Sequence, residues 1–422
     1  MAEYFSDERH EILRQEVRSF AEDEVRPRVP QMETSRHVDH TLSRAIGRTG
    51  WIGVTIPCEY GGMGLGHLAK TIIIEELARV SGAMGAMVQA AQLGVAKVLH
   101  FGSREQRQHW LPRFASGEAL PTIAVTEPES GGHVLAMSGT ARRHSGDYVL
   151  NGRKWFVGNS HISDVHGVVF RTGKGSGGLS AFLVETDRPG FRMGEVGTQS
   201  GLHGFSFGEL VFEDCRIPVA NRLGEEGQGL DVAYSSSVLY GRPNLTAVAL
   251  GIHRAIVEDT ARFCAQERVM YGKPLAQHPA VNDKLGRMQS RLMTARLAAY
   301  YAVHLLDRGL PCDAELINAK LVNTEYTLDS ARTAMEIFAA RGLQTSYPIE
   351  RYLRDAHHIY APAGTSDIQR LRLGQAAVGT YGRQWSVVLA DKLTGSPREG
   401  LARPLGETAG WVHGGATDQL AS

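Results

Sequence analysis

The sequence lacks most of the features that mark secreted, membrane-bound or metal-binding proteins. Only 4 of its 422 residues are cysteine, and none forms a CxxC pair, so we predict neither a disulfide framework nor a zinc site. No stretch approaches the ~18 uninterrupted apolar residues of a membrane-spanning helix, and the charged start MAEYFSDERH is unlike a signal peptide. We therefore predict a cytoplasmic protein without membrane contact, and we interpret the cysteines as buried apolar residues.

The chain also has no net charge. Its 45 Lys and Arg residues balance 45 Asp and Glu residues, so little attracts it to phosphate backbones, and we predict no nucleic-acid partner. None of the 17 histidines follows a metal-ligand spacing such as HExxH, and we predict no metal. With 42% hydrophobic residues, the length suits two or three domains of a small-molecule enzyme.

Residue patterns divide the chain into a helical, a strand-rich and a second helical segment. Apolar residues three or four apart, such as Leu13 and Val17, predict helices over residues 1–120. Residues 121–230 contain short β-branched runs such as YVLNG and predict an antiparallel β domain, and residues 231–382 return to helical periods. Helices before and after a run of strands indicate an α+β protein without a Rossmann site. The Gly- and Pro-rich residues 383–422 predict a flexible tail.

Two short motifs imitate catalytic loops without the context that such loops need. Residues 173–178, GKGSGG, match GxGxxG but lie between two strand patterns. The sequence GFSFG around Ser206 matches GxSxG, yet a strand follows where a nucleophile elbow requires a helix. We interpret both segments as connections within the sheet.

Eight sequence blocks resemble, in order and spacing, the acyl-CoA dehydrogenase family up to about Gly382. They are IPCEYGGMGLG, AVTEPESGG, YVLNGRKWFVGN, ELVFEDCRIP, LGEEGQG, ERVMYGKPL, YPIERYLRDA and GTSDIQR. The resemblance implies an N-terminal helical domain, a middle antiparallel β-barrel domain and a C-terminal four-helix bundle, with FAD as cofactor. It also implies a homo-oligomer, a tetramer before a dimer, in which a neighbouring subunit completes each flavin site.

The resemblance assigns cofactor contacts to particular residues. Val125 and Thr126 would face the flavin, Trp155 would lie beside it, and Arg268 and Tyr271 would reach a neighbouring subunit's FAD, where the Arg268 guanidinium suits phosphate oxygens. The other positions of the expected cofactor site are Gly131, Gly132, Val157, Glu336, Ala340, Thr365 and Asp367. Glu336 replaces a glutamine, and its carboxylate would repel a pyrophosphate unless it is protonated or turned away.

The most informative departure from the family concerns the catalytic base. Ala363 occupies the position of the family's glutamate, and the alternative position of some subfamilies falls at Gly241, beside Arg242. Neither residue accepts a proton, and loss of a general base costs roughly 10²- to 10⁴-fold in rate. The backbone N–H of Ala363 remains as an oxyanion donor for the thioester carbonyl. We predict that Arg242 organises the site and that Gly132, Leu239, Tyr240 and Gly364 contact substrate.

The resemblance implies an FAD-dependent oxidoreductase that acts on an acyl-CoA or acyl carrier protein thioester, with an electron-transferring flavoprotein as a possible acceptor. The missing glutamate predicts an atypical dehydrogenase, for example at the γ,δ bond in polyketide extender-unit biosynthesis. Tyr240, Tyr360 and His357 are then the candidate replacement bases. Two alternatives stay open: a flavin-dependent monooxygenase or N-hydroxylase of the same fold, and a non-catalytic relative that binds acyl carriers.

Overall fold

Six helices precede the first strand in the computed structural model, which describes residues 5–390. They are α1 (Glu8–Phe20), α2 (Val29–Ser35), α3 (His40–Arg48), α4 (Gly66–Val80), α5 (Gly82–Phe101) and α6 (Arg104–Ala115). Asp7 begins α1 with a capping box, because its carboxylate accepts from the His10 backbone N–H at 3.1 Å. α4 and α5 are buried almost throughout and form the centre of the molecule.

Ten strands follow. They are β1 (Pro121–Ala124), β2 (Thr140–His144), β3 (Asp147–Gly158), β4 (Val165–Arg171), β5 (Leu179–Glu185), β6 (Phe191–Val196), β7 (Phe207–Pro218), β8 (Arg222–Leu223), β9 (Val269–Met270) and β10 (Lys273–Pro274). The first eight form one sheet with the order β6-β7-β3-β2-β4-β5-β8, and β1 pairs with β4. β9 and β10 form a separate hairpin between two helices of the C-terminal part.

Seven helices complete the described chain. They are α7 (Gly229–Ser236), α8 (Arg242–Arg262), α9 (Pro279–Asp307), α10 (Asp313–Phe338), α11 (Ile349–His358), α12 (Ser366–Ala377) and α13 (Trp385–Val388). A π-helical turn, Ser237–Gly241, joins α7 to α8. α8 crosses α4 closely at Gly251, where a Cβ would lie 2.4 Å from the Glu75 carbonyl oxygen. No helix within residues 5–390 is both long and apolar enough to cross a bilayer.

The order of helices, sheet and helices confirms the α+β prediction, with a difference in the sheet. β1 and β2 each pair with β4 in parallel, whereas the sequence predicted an antiparallel barrel. β1, β2 and β4 run in one direction, and β3, which pairs with β2, runs in the opposite direction. Within the described residues the strand pairing does not close the sheet. Ser206 is buried directly before β7, and residues 173–178 connect β4 to β5, as interpreted from sequence.

Residues 383–390, where we placed the start of a flexible tail, are packed against the helical core. The carboxylate of Asp313, at the start of α10, accepts from the backbone N–H groups of Trp385 and Ser386, each at 2.8 Å. Trp385 and Leu389 are buried. These hydrogen bonds satisfy backbone groups that composition alone assigned to a loop, and the rest of the predicted tail lies outside the described residues.

The cysteine interpretation is correct for three residues and wrong for one. Cys215, Cys264 and Cys312 are buried, whereas Cys58 is exposed in the glycine-rich turn before α4. All four are free thiols.

Candidate functional site

The two positions expected to carry a catalytic base face each other. Gly241 ends the π-helical turn before α8, and Ala363 lies in the loop between α11 and α12. A Cβ on Gly241 would lie 3.4 Å from the Ala363 Cβ and 3.7 Å from Cδ2 of Leu93 on α5. A carboxylate from either position would therefore enter the same space, and in this chain neither residue supplies one.

Solvent-accessible space borders this point inside the helical core. Leu93 is half-buried although its neighbours on α5 are buried, and Ala363 and Gly364 are half-buried as well. A partly exposed side chain in the middle of a buried helix indicates a cavity beside it. Gly241 and Ala363 place only small groups at the two positions where the family carries its acid.

Hydrogen bonds to carbonyl groups fix the loop of Ala363. Ala363 and Gly364 both have positive φ, 55° and 95°. The Gln369 amide donates to both of their carbonyl oxygens at 2.9 Å, and Lys320 Nζ donates to the Gly364 oxygen at 2.8 Å. The backbone N–H of Ala363 has no acceptor among the described residues. It therefore remains available as the oxyanion donor that the sequence predicted.

Arg242 acts on this loop through Gln369. Its Nε donates to Gln369 Oε1 at 2.9 Å, and burial lowers the pKa of the guanidinium below its usual value. Its Nη1 has no hydrogen-bond partner among residues 5–390. Burial likewise lowers the pKa of Lys320 to about 7. Arg242 is thus a positioning residue for the backbone at Ala363 and Gly364.

Two predicted substrate contacts, Leu239 and Tyr240, are buried in the helical core. Leu239 is fully buried in the helical core, and Tyr240 is 1% exposed. The Tyr240 hydroxyl is 3.0 Å from His100 Nε2, and the Lys70 ammonium lies 4.3 Å from its ring centre. Burial raises the pKa of Tyr240, which keeps the phenol neutral and makes it a poor proton acceptor. The structure thus argues against a substrate contact for both residues and against Tyr240 as the base.

The other two base candidates stay near the loop. His357 lies at the end of α11 and is largely exposed, and the desolvation of its ring by neighbouring residues lowers its pKa. Tyr360 is half-buried, and its carbonyl oxygen accepts from Lys320 at 2.7 Å. Both therefore remain candidates.

The residues expected at the flavin ring meet at the end of β1. Trp155 donates its backbone N–H to the Thr126 carbonyl at 2.9 Å, and Lys154 Nζ approaches the Val125 carbonyl at 3.3 Å. Val157, in contrast, is 2% exposed and belongs to the core of the sheet. A bulge in β3 between Lys154 and Val157 shifts the alternation of side chains, and Val157 packs into the core of the sheet.

Phe156 is an exposed aromatic residue beside Trp155 that the sequence patterns did not single out. It lies in the same bulge with φ of 58°, is 53% exposed, and has its ring centre 6.1 Å from that of Trp155. Gly158, two residues after Phe156, has no side chain, and a Cβ there would lie 2.9 Å from the Phe205 ring. The only sequence signal for an exposed Phe156 was its position next to Trp155. In a regular strand, neighbouring residues lie on opposite faces, so only one of the two could point into the sheet core.

The loop that carries Gly131 and Gly132 has an exposed tip and a base that is fixed by hydrogen bonds. Both glycines are exposed, and a Cβ on either would meet nothing within 4 Å. Buried Glu127 accepts from the Ser138 backbone N–H at 2.6 Å and pairs with Lys154 at 2.7 Å. The loop is therefore held at its base while its tip stays accessible to a ligand.

The second predicted cofactor group lies on the outside of the C-terminal helices. Tyr271, at the tip of the β9–β10 hairpin, is 88% exposed with φ of 49°, and Arg268 makes no ion pair with a described residue. The Glu336 carboxylate pairs with Lys284 at 2.7 Å, which offsets the negative charge that would repel a pyrophosphate. Ala340, another expected cofactor position, is also exposed.

Thr365 and Asp367 begin α12. Thr365 occupies the N-cap position, but its side chain makes no capping hydrogen bond, so the hydroxyl is available to a cofactor. Asp367 is exposed and pairs with Arg370 at 3.1 Å.

These side chains fit FAD. Arg268 and Thr365 offer donors that the described residues leave unused, Lys284 neutralises Glu336, and Tyr271 projects outward, as a contact to a second subunit requires. Fold and site together fit a flavin-dependent oxidoreductase.

Comparison with known proteins gives the family. The models of the acyl-CoA dehydrogenase N-terminal, middle and C-terminal domains match residues 7–118, 122–215 and 227–378. The chain belongs to the acyl-CoA dehydrogenase family, whose members are FAD-dependent oxidoreductases acting on CH–CH donors.

Individual relatives cover almost the whole chain. An acyl-CoA dehydrogenase of Bacillus subtilis is 35% identical over 371 residues, 87% of this chain and 97% of the relative. Butyryl-CoA dehydrogenase from Megasphaera elsdenii superimposes with a TM-score of 0.86 at 29% identity, covering 88% and 99% of the two chains. A prolyl acyl carrier protein oxidase superimposes with a TM-score of 0.82 at 27% identity, covering 88% and 99%.

Proposed function

We propose that this protein oxidises an acyl thioester without a carboxylate base of its own, at a position other than the usual α,β bond. The observation that carries this proposal is the meeting of Gly241 and Ala363, with their Cβ positions 3.4 Å apart. An acid side chain at either position would reach the same place, and neither Gly241 nor Ala363 supplies one.

The chain's own residues retain the groups that bind the thioester carbonyl. Bound FAD supplies a hydride acceptor. The N–H of Ala363, held in place by Gln369, Arg242 and Lys320, donates to the thioester carbonyl oxygen and stabilises negative charge that develops there. Dehydrogenation at the γ,δ bond, as in polyketide extender-unit supply, moves the proton that must be removed away from the empty acid position. Tyr360 and His357 remain the candidate acceptors of that proton.

The carrier of the acyl group is proposed to be CoA or an acyl carrier protein. A solved relative named as a prolyl acyl carrier protein oxidase supports the second carrier. The exposed loop of Gly131 and Gly132 leaves the entrance open to a pantetheine arm. We expect the reduced flavin to pass its electrons to an electron-transferring flavoprotein.

The test is anaerobic bleaching of the purified yellow protein with saturated and α,β-unsaturated thioesters. We expect an α,β-unsaturated short chain to bleach the flavin faster than its saturated counterpart. Ala363→Glu should then create or raise α,β-dehydrogenation of the saturated chain by roughly 10²-fold or more, because the carboxylate enters the empty space.

Ala363→Gln is the matched control, since it has the same shape without basicity and should give no such gain. Absence of any gain in Ala363→Glu would show that no substrate Cα lies at this point. Oxygen uptake driven by an external flavin reductase would favour a monooxygenase, and a colourless protein that takes up no FAD would favour a non-catalytic relative.

We further propose a homotetramer in which neighbouring subunits complete the flavin sites. Met293, Leu297 and Tyr301 form a stripe on α9 at intervals of four residues, and each is about half exposed. Tyr271 projects from the hairpin beside the same helix. An apolar stripe on the helix that follows the outward-directed Tyr271 supports an interface between copies of this chain.

A further inference from the structure

Strands β2 and β4 separate beyond a single point of pairing and leave a cleft at the surface of the sheet. β2 pairs with β3 along its whole length, but with β4 only between Thr140 and Arg171. The cleft lies between β2 and the start of the loop that joins β4 to β5. Residues 142–144 of β2 are exposed along it, so this strand edge is accessible to a partner.

Positive charge dominates this cleft. Among the described residues that line it, Arg142, Arg143 and Arg171 are cations and Glu226 is the one acid. Arg142 and Arg143 are exposed, and neither forms an ion pair with a described residue. Lys174, in the adjoining loop, is exposed as well. The charge of this surface is therefore available to an anionic partner.

The nearby acids do not cancel that charge. Glu226 accepts from the Tyr148 hydroxyl at 2.5 Å and lies 3.9 Å from the guanidinium of Arg222. Asp147 lies at the turn after β2 and adds a second carboxylate. Four cations thus face two carboxylates, one of which already has a partner.

Arg171 connects the cleft to the loop at the proposed thioester entrance. Its Nε donates to the Met137 carbonyl at 3.1 Å, and its Nη2 donates to the Leu135 carbonyl at 2.6 Å. Both carbonyls belong to the segment that follows Gly131 and Gly132. Because these acceptors are neutral, they position the guanidinium without neutralising it. A partner bound at β2 would therefore lie beside the loop through which we expect the acyl group to enter.

We propose that Arg142 and Arg143 form a docking surface for an acyl carrier protein that presents acidic side chains around its acylated arm. The proposal rests on the proposed function in its carrier-protein form. Guanidinium groups bind carboxylates in a two-point geometry, and complementary charge speeds encounter and fixes orientation. Neighbouring side chains on a strand point to opposite faces, so Arg142 and Arg143 do not converge on one phosphate of CoA. A folded domain can contact both.

The experiment measures binding of a crotonyl-loaded, fluorescently labelled acidic acyl carrier protein to the FAD-loaded enzyme by anisotropy. Crotonyl-CoA and crotonyl-pantetheine, which has no phosphate, are titrated in parallel by calorimetry. Raising the salt from 0.1 to 1 M shortens the screening length from about 10 to 3 Å. We expect this change to weaken carrier binding at least tenfold and to leave crotonyl-pantetheine binding within about twofold.

Arg142→Glu combined with Arg143→Glu reverses the charge of the surface. We expect the double variant to bind the carrier protein at least tenfold more weakly and both small thioesters as the wild type does. Arg36→Glu combined with Arg48→Glu is the matched control, because these arginines are also exposed without an ion pair to a described residue, near α2 and α3. It should leave carrier binding unchanged. If the first variant does not fold, Arg142→Gln with Arg143→Gln takes its place and should weaken carrier binding several-fold.

Unchanged carrier binding in the variant would overturn the inference and would mean that the arginines only protect a strand edge. A loss for crotonyl-CoA equal to that for the carrier, with crotonyl-pantetheine unaffected, would also overturn it, because the arginines would then bind phosphate. A wild type that binds the small thioesters but not the carrier protein would overturn it and leave the proposed function standing. If no thioester binds in any form, the proposed function fails and takes this inference with it.

Discussion

Individual residues define the unusual chemistry of this site by what they lack. Gly241 and Ala363 face each other and supply no acid side chain, and the backbone around Ala363 stays fixed by Gln369 and Lys320. Binding of the carbonyl and removal of the proton therefore depend on different groups of the protein. The first needs only a main-chain N–H, while the second needs a side chain that these two positions no longer supply.

Ala339 carries a side chain at a position whose backbone conformation favours glycine. Its φ of 53° and ψ of −131° lie in a region that suits glycine. We expect Ala339→Gly to raise the free energy of unfolding by about 1 kcal/mol, measured by urea denaturation, because relief of strain exceeds the added chain entropy. Ala340→Gly is the control and should lower the same quantity, since Ala340 has no positive φ. A destabilised Ala339→Gly variant would contradict the expected strain.

At the scale of elements, the π-helical turn Ser237–Gly241 connects the site to the rest of the helical core. Turns of this type are rare and frequently occur at functional sites. α5 and α8 pack against the turn and contribute Leu93 and Asn244, while α13 packs against it from the C-terminal side. The geometry at Gly241 therefore depends on elements that are distant in sequence.

The docking of α13 can be tested through Asp313. Its carboxylate accepts the backbone N–H groups of Trp385 and Ser386 and also the Ser386 hydroxyl. We expect Asp313→Ala to reduce the local opening free energy of residues 385–389 by about 2 kcal/mol, seen as roughly thirtyfold faster hydrogen exchange. Asp313→Asn should show a smaller change, because one acceptor oxygen remains. Unchanged exchange in Asp313→Ala would mean that apolar packing alone holds this segment.

At the scale of the whole molecule, the sheet region and the helices are joined by specific polar contacts. Arg44 on α3 forms a two-point ion pair with Asp164, just before β4, at 2.6 and 2.8 Å. Asp164 also accepts from the Leu120 backbone N–H at 2.7 Å. The junction of the N-terminal helices with the sheet is thus fixed where the chain enters β1, which carries Val125 and Thr126 on towards the expected cofactor.

The proposed tetramer gives a prediction at this scale. Leu297→Asp places a charge in the centre of the apolar stripe on α9, so we expect light scattering after size exclusion to show smaller assemblies and weaker FAD retention. Ile12→Asp is the control, because Ile12 is similarly exposed, 52%, but lies on α1. A Leu297→Asp variant with the mass and FAD content of the wild type would place the interface elsewhere.

Much of the site could be predicted from sequence because motif residues are local. Ala363, Gly364 and Thr365 follow each other in one loop, and their roles depend largely on backbone groups and short spacing. Val157, Leu239 and Tyr240 were assigned by position along the chain, but the direction of a side chain also depends on a bulge or on the packing behind a helix. Phe156 was missed for the same reason.

By itself, the sequence determined the family, the three-part order of helices and strands, and the absence of an acid at two positions. Those properties follow from residue identity and short-range periodicity, which persist in any arrangement of the chain. Only the tertiary structure decided that Gly241 and Ala363 face each other. Proximity between α5, α8 and the loop before α12 is a product of packing, and spacing along the chain does not encode it.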